Sequence, residues 1–124
     1  MIEVKHLTHD YEGKGNPSVT DVSFTVETGT IFGFLGPSGA GKSTTQQLMT
    51  GLLGLQTGEI RYDGRTLAEQ GDEFYNRIGV SFEHPNVFGK LTGLENLRHH
   101  AGLYRTETDD PLRLRQRSQL VEPR

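Results

Sequence analysis

One short segment constrains the fold of this chain more than any other part of its sequence. Residues 36–43 read Gly-Pro-Ser-Gly-Ala-Gly-Lys-Ser and fit the pattern G-x-x-x-x-G-K-[ST] at every required position. A continuous apolar run at residues 31–35 precedes the segment and predicts a strand covered on both faces. The residues from about 42 to 50 predict a helix that ends at Gly51 and Gly54. This order of strand, glycine-rich loop and helix predicts an α/β fold.

The residue types of this loop suit a triphosphate. Gly39 and Gly41 let the backbone curl, so that successive N–H groups point inward as an anion nest at the positive end of a helix. Lys42 supplies a mobile charge for the β- and γ-phosphates, and the next hydroxyl is suited to Mg²⁺. Ser43 is therefore a candidate metal ligand, and Lys42 is also a candidate catalytic residue. The candidate phosphate-binding residues are Gly36, Ser38, Gly39, Ala40, Gly41, Lys42, Ser43 and Thr44. The alternative is a glycine-rich turn that arose by chance.

The rest of the body predicts further strands and one further helix. Strands are expected at residues 2–7, 19–26, 59–62 and 78–82, and Asp63-Gly64 predicts a tight turn. Thr92 and Glu95 have the spacing of a capping box and predict a helix start. The apolar side chains of that helix predict a stripe that faces the core, formed by Leu94, Leu97, Ala101 and Tyr104.

Composition excludes several function classes. The 124 residues include 13 Lys+Arg and 16 Asp+Glu, which leaves no clustered basic surface for nucleic acid. Cysteine is absent, so disulfides and thiolate chemistry are excluded. No apolar run approaches the about 20 residues that span a bilayer, and residues 1–6 do not resemble a signal peptide. We expect an intracellular chain whose membrane link comes through a partner.

The character of the sequence changes near residue 105. All 16 glycines lie at or before Gly102, whereas residues 105–124 hold five of the nine arginines. The sequence predicts one partial domain over residues 1–105 and a divergent arginine-rich tail over residues 106–124 that is disordered. A solvated tail is one interpretation of the arginines, and a patch for nucleic acid or anionic lipid is the other. Four acidic residues in the same stretch weigh against the patch.

Residues 1 to about 105 resemble the nucleotide-binding subunit of an ATP-binding cassette (ABC) transporter, most closely of the drug-export or multidrug type. The residues that carry the resemblance, beside the loop, are 7–11, 22–36, 51–53, 57–60, 78–82 and 91–97. The resemblance implies the P-loop NTPase fold of the ABC ATPase type. The fold is expected to be incomplete, with a β-rich N-terminal subdomain, the phosphate-loop strand and its helix.

The resemblance also implies two residue roles outside the loop. Tyr11 lies where the family has an aromatic residue that stacks on adenine, although simple packing is the alternative. Glu83 lies where the family has a glutamine that contacts Mg²⁺ and the attacking water. Glutamine can donate a hydrogen bond and an ionised glutamate cannot. Our hypothesis is that Glu83 replaces the glutamine as a catalytic and metal-side sensor, and an exposed carboxylate at a strand end is the alternative.

For the family as a whole, the resemblance implies ATP and Mg²⁺ as ligands. It also implies a transmembrane permease subunit and a second ATPase subunit as partners, and a cytoplasmic location at the inner face of the cell membrane. Three family segments expected after residue 105 are missing: the signature LSGGQ, an apolar strand ending in Asp-Glu, and a switch histidine. We therefore expect weak nucleotide binding at best and no useful turnover by this chain alone.

Three further expectations follow from the missing segments. Without neighbouring strands, the strand at residues 31–35 is left with bare edges. A frameshifted or truncated reading frame is one hypothesis for the unusual ending. The alternatives to a transport-coupled ATPase subunit are a non-hydrolysing nucleotide-binding fragment or remnant, and a different P-loop NTPase such as a small kinase, which would need a substrate lid and a catalytic acid.

Overall fold

A computed structural model describes residues 1–81 and 87–105 of the chain. It divides into two compact units, Met1–Gly71 and Asp72–Arg124, which are described separately. The first unit contains β1 (Ile2–His9), β2 (Val19–Val26), α1 (Lys42–Met49), β3 (Thr57–Tyr62), β4 (Arg65–Thr66) and α2 (Leu67–Gln70). A 3₁₀ helix, Gly71–Asn76, begins at the division, and the second unit also contains α3 (Gly93–Ala101).

The first unit is built on an antiparallel sheet with the strand order β2-β1-β3-β4. Strand β1 is central: its Val4 lies opposite Phe24 of β2 on one side and Ile60 of β3 on the other. The predicted strands at residues 2–7, 19–26 and 59–62 are therefore confirmed. The predicted turn is confirmed too, because Asp63 and Gly64 both have positive φ, as a tight hairpin between β3 and β4 requires.

Strand β1 carries an irregularity that its neighbours accommodate. The register shifts after Val4, and His6 has a φ of 51°. Across from it, Gly58 has a φ of 98°, and a Cβ there would lie 2.6 Å from the carbonyl oxygens of Lys5 and His6. Only glycine fits at that position, since a side chain would push β3 away from β1.

A small apolar core lies between the sheet and α1. Its five members, which are at most 4% exposed, are Val4, Leu7, Val19, Leu48 and Ile60. Helix α1 ends in a Schellman motif, in which Gly51 N–H donates to Leu48 and Leu52 N–H donates to Gln47. The predicted helix and its glycine stop are thus confirmed, and Leu48 anchors the helix in the core.

The apolar run at residues 31–35 is not a strand, which corrects the sequence prediction. Ile31 and Leu35 are 103% and 97% exposed, and none of the strands described pairs with this segment. Phe32 and Phe34 pack instead against Phe24 of β2, Phe32 stacked on that ring with centroids 5.1 Å apart and Phe34 in an edge-to-face contact at 5.2 Å. An apolar run becomes a buried strand only when neighbouring strands satisfy its backbone groups, and the described residues supply no such neighbour here.

The second unit departs further from the prediction. Residues 78–81 form no strand, and residue 82 lies outside the described residues. A side chain holds this segment instead, because the Tyr104 hydroxyl donates to the Ile78 carbonyl oxygen at 2.9 Å. The predicted boundary at 105 and the tail at 106–124 also fall at or beyond the end of the described part.

Helix α3 begins at the predicted capping box. Thr92 Oγ1 accepts from Glu95 N–H, and the Glu95 carboxylate accepts from Thr92 N–H at 2.7 Å. The predicted core-facing stripe is confirmed only in part, since Leu94, Ala101 and Tyr104 are half-buried, whereas Leu97 is exposed and Asn96 is the buried residue of the helix. The side-chain amide of Asn96 satisfies backbone acceptors of the preceding loop, because it donates to the carbonyl oxygens of Phe88, Leu91 and Thr92. The most buried position of the helix is therefore a polar one, which lies outside the predicted stripe.

Neither of the two ranges described, 1–81 and 87–105, contains a helix that is long and apolar enough to cross a membrane.

Candidate functional site

The loop at residues 36–41 leads into α1 with the backbone geometry that its glycines predict. Gly39 and Gly41 have φ values of 81° and 80°, in the left-handed region that favours glycine. Gly41 also packs closely, because a Cβ there would collide with the Ser18 carbonyl oxygen and lie 3.0 Å from Val19 Cγ2. Gly39 has no such neighbour within 4 Å. Gly41 is thus required for packing as well as for conformation.

Lys42 folds back over this loop. Its Nζ donates to the carbonyl oxygens of Gly36 at 2.9 Å and Pro37 at 2.6 Å. The ammonium group has three donors, and these two bonds hold it above the loop on a flexible side chain. The positive charge of Lys42 therefore lies beside the backbone at the start of the loop.

The first turn of α1 is open to an anion. Gly41 is its N-cap, and no side chain of the described residues caps the helix. The first intrahelical bond is from Thr45 N–H to the Gly41 carbonyl at 2.8 Å, so the N–H groups before it have no helical acceptor. Acidic residues are absent from this turn, and Ser43 is exposed. These backbone N–H donors fit a phosphate group, and the exposed hydroxyl of Ser43 suits a hard cation such as Mg²⁺.

Tyr11 lies beside the same helix. Its hydroxyl is 3.2 Å from Thr44 Oγ1 and donates to Gln47 Oε1 at 3.3 Å. Tyr11 is 57% exposed, and its ring meets the ring of the buried His9 in an edge-to-face contact with centroids 4.8 Å apart. The structure thus brings Tyr11 and Thr44, two residues singled out from the sequence, into direct contact.

Two residues that sequence reasoning missed shape the segment around Tyr11. The Asp10 carboxylate accepts from the backbone N–H groups of Glu12, Gly13, Gly15 and Asn16. Desolvation acts to raise the pKa of this carboxyl, but the four N–H donors outweigh it and hold the pKa below its ordinary value. Gln56, which is distant in sequence, pairs with the Asp10 backbone through both ends of its amide.

A sequence signal existed for only one of these two residues. Aspartate followed by glycines is typical of a turn in which the side chain binds nearby N–H groups. Gln56 has no such local signature, since its partner lies 46 residues away.

Glu83 lies outside the described residues, so its pairing with Ser43 as a metal site stays a prediction. The adenine-stacking role of Tyr11 and the phosphate roles of residues 36–44 also stay predictions, although the structure brings those residues to one end of α1.

Residues 19–122 match the sequence model of the ABC transporter family. The chain is 52% identical over 114 residues to a fluoroquinolones export ATP-binding protein of Mycobacterium tuberculosis (strain ATCC 25618 / H37Rv), a match that covers 92% of this chain and 38% of that protein. It is 40% identical over 105 residues to the probable multidrug ABC transporter ATP-binding protein YbhF of Escherichia coli (strain K12), covering 84% and 18%. The chain thus spans 38% or less of the length of these two relatives.

Solved structures show the same likeness. An ATP-binding subunit of an ABC transporter superposes with a TM-score of 0.72 at 32% identity, over 86% of this chain and 44% of that one. A dimeric ATP-binding cassette in a post-hydrolysis state, bound to ADP and Pi, has a TM-score of 0.72 at 26% identity, over 91% and 52%. The α/β class and the partial extent of the fold, both predicted from the sequence, are confirmed.

Proposed function

This chain belongs to the ABC transporter family, and from that premise we propose that residues 36–44 bind the phosphates of ATP. One observation carries the proposal: the uncapped first turn of α1 follows two left-handed glycines, with the Lys42 ammonium held above them. Backbone donors, the positive end of a helix and a mobile cation together form an anion site.

Within this proposal each side chain has one task. When ATP binds, the Lys42 ammonium group leaves the carbonyl oxygens of Gly36 and Pro37 and donates to the β- and γ-phosphates. Thr44 donates to an inner phosphate. The exposed ring of Tyr11 stacks on adenine. Ser43, with Glu83, holds Mg²⁺, which when bound neutralises charge on the phosphates. Tyr11 contacts Thr44 directly, which supports a single site for base and phosphates.

At the scale of the whole protein, we propose an ATP-binding component that couples ATP hydrolysis to transport. The partners would be a transmembrane permease subunit and a second ATPase subunit, with the protein peripheral at the inner face of the membrane. A drug-export role is supported by the names of two relatives, which are called fluoroquinolones export and probable multidrug proteins.

A second candidate function is nucleotide binding without hydrolysis. The 124 residues contain neither an LSGGQ segment nor an apolar strand that ends in Asp-Glu. Phosphoryl transfer relies on an acidic group that orients the attacking water. We expect the 124-residue chain by itself to bind MgATP without releasing phosphate, and a phosphate-release assay separates the two candidates.

Thermal unfolding of the 124-residue chain with increasing MgATP tests nucleotide binding. Ligand at 100 times its Kd adds about 2.7 kcal/mol of stability, which raises the Tm measurably. Lys42→Ala should remove most of this shift because the phosphates lose their mobile cation.

Lys90→Ala is the matched control, since Lys90 lies on the exposed surface of the other unit and should leave the shift intact. A chain whose Tm ignores MgATP, or a Lys42→Ala variant that binds as well as the parent chain, would contradict the proposal.

A further inference from the structure

We propose that Gln56 and Asp10 are positioning residues that hold the ring of Tyr11 in place for adenine. This inference rests on the proposed function, because it concerns the base end of the same nucleotide site. The hydrogen bonds that they make in the described part of the chain link Gln56 to Asp10 and Asp10 to residues 12–16, not to residues 36–41. They act through the backbone on either side of Tyr11.

Gln56 fixes the backbone that precedes the Tyr11 ring. Its Oε1 accepts from Asp10 N–H at 2.8 Å, and its Nε2 donates to the Asp10 carbonyl oxygen at 2.9 Å. An amide that binds both backbone groups of one residue imitates a strand partner, although no ladder exists at this point. The backbone of Asp10, the residue after the end of β1 at His9, is thereby held in place as well.

The Asp10 carboxylate fixes the backbone that follows Tyr11. One oxygen accepts from Glu12 and Gly13, both at 3.0 Å, and the other accepts from Gly15 at 2.7 Å and Asn16 at 3.2 Å. Hydrogen bonds to an ionised acceptor are stronger than those between neutral groups. A glycine-containing segment with many accessible conformations is thereby gathered around one side chain.

The ring itself is held at its two ends. The hydroxyl bonds Thr44 and Gln47 of α1, and the ring makes an edge-to-face contact with His9, which is buried. Tyr11 remains 57% exposed, which leaves it accessible for stacking on a base. Because the hydroxyl bonds Thr44, the Tyr11 ring is set relative to the first turn of α1, where the phosphates would bind.

Ordering a side chain only when the ligand arrives lowers affinity, so a ring that is already held binds the base more tightly. Loss of the Gln56 bonds should weaken ATP binding roughly twofold to tenfold, the range expected for immobilising one side chain. Binding of inorganic tripolyphosphate, which has no base, should be unchanged. A purely structural role for Gln56 would weaken both ligands alike.

The first experiment measures the ring without any nucleotide. The chain has no tryptophan, so Tyr11→Trp introduces a single indole at the ring position. Adding Gln56→Ala should lower its fluorescence anisotropy and raise its quenching by acrylamide. Gln70→Ala is the matched control, because it also removes two hydrogen bonds between a glutamine amide and the backbone, here donated to the Tyr62 and Arg65 carbonyls, and it should change neither signal. An indole that ignores Gln56→Ala overturns the proposal.

The second experiment compares the affinities of Gln56→Ala and the parent chain for MgATP and for tripolyphosphate by calorimetry. A loss confined to MgATP supports the proposal, and equal losses or no loss overturn it. Asp10→Asn gives the same comparison if Gln56→Ala does not fold, since it keeps one acceptor oxygen and should show a smaller loss of the same kind.

Nucleotide binding by the chain and the effect of Gln56 on residue 11 can be refuted independently. If the parent chain binds no nucleotide, the proposed function fails, and the indole measurement still decides whether Gln56 holds residue 11.

Discussion

Two apolar regions of the first unit differ in burial: one forms the core and the other is exposed. The core beneath the sheet holds Val4, Leu7, Val19, Leu48 and Ile60, each at most 4% exposed. The run at residues 31–35 is more continuously apolar, yet Ile31 and Leu35 are almost fully exposed and no strand forms. Hydrophobicity alone therefore does not bury a segment in this chain. Burial follows where antiparallel partner strands satisfy the backbone.

The difference also concerns the origin of the partner strands. Strand β1 pairs with β2, which follows it after a short connection, and with β3, which follows β2 only after the loop and α1. The segment at 31–35 has the pattern of a strand buried on both faces, which requires neighbours on either side. The loop at residues 36–41 thus follows a segment that pairs with none of the described strands, and it leads into a helix that is anchored in the core.

The largest expected effect tests the comparison directly. Leu48→Ala should cost about 2–5 kcal/mol of unfolding free energy, because it opens a cavity in the packed core. Leu35→Ala, in the exposed run, should change the same quantity by about 0.5 kcal/mol or less. Urea unfolding of the 124-residue chain measures both. Similar losses for the two leucines would show that residues 31–35 are packed after all.

The next effect separates two glycines of the loop. Alanine at either position must adopt a left-handed φ, which costs roughly 1–2 kcal/mol. Gly41→Ala should cost more than Gly39→Ala, because only its Cβ meets backbone, at Ser18. Thermal unfolding of the two variants gives the difference. Equal losses would mean that the loop can move away from β2 without cost.

A smaller effect concerns the link between the sheet and α1. The Tyr62 hydroxyl donates to the Met49 carbonyl oxygen at 2.6 Å, and Tyr62→Phe should cost about 0.5–1.5 kcal/mol. Burial raises the pKa of Tyr62 to about 12. Because the folded pKa is raised above 10.0, the stability linked to this proton is complete below that pH and is lost as the pH rises toward 12.

Ultraviolet difference spectroscopy of the phenol group checks the titration. Among the four tyrosines, one should ionise late, and its step should vanish in Tyr62→Phe. A titration curve that Tyr62→Phe leaves unchanged would contradict the assignment.

The smallest effect lies in the second unit, where α3 has little core and relies on its cap. Hydrogen bonds from Thr92 N–H and Oγ1 lower the pKa of Glu95 below 4.5. Its contribution is therefore present above that pH and is lost as the pH falls through the depressed value. Glu95→Gln should flatten the loss of helical circular dichroism on acidification. Glu73→Gln, at an exposed carboxyl of the same unit, serves as the control and should leave the acid transition as it is.

Local chemistry explains which elements were predictable. The turn at Asp63-Gly64, the cap at Thr92 and the glycine stop at Gly51 each depend on residues within one turn of the chain. They formed as predicted. The strand at 31–35 and the apolar stripe of α3 depend on neighbours at a distance. The first prediction was wrong and the second was confirmed only in part, because an apolar pattern does not say whether a neighbour is present.

The candidate site divides in the same way. The sequence by itself determined the conformation of the loop at residues 36–41, since its glycines act through their own left-handed backbone conformation. Only the tertiary structure decided what surrounds Tyr11. It brought Gln56 to Asp10 across 46 residues and set the Tyr11 hydroxyl against Thr44 across 33. Hydrogen bonds of that kind depend on how β1, α1 and the start of β3 pack together, and no local pattern records that packing.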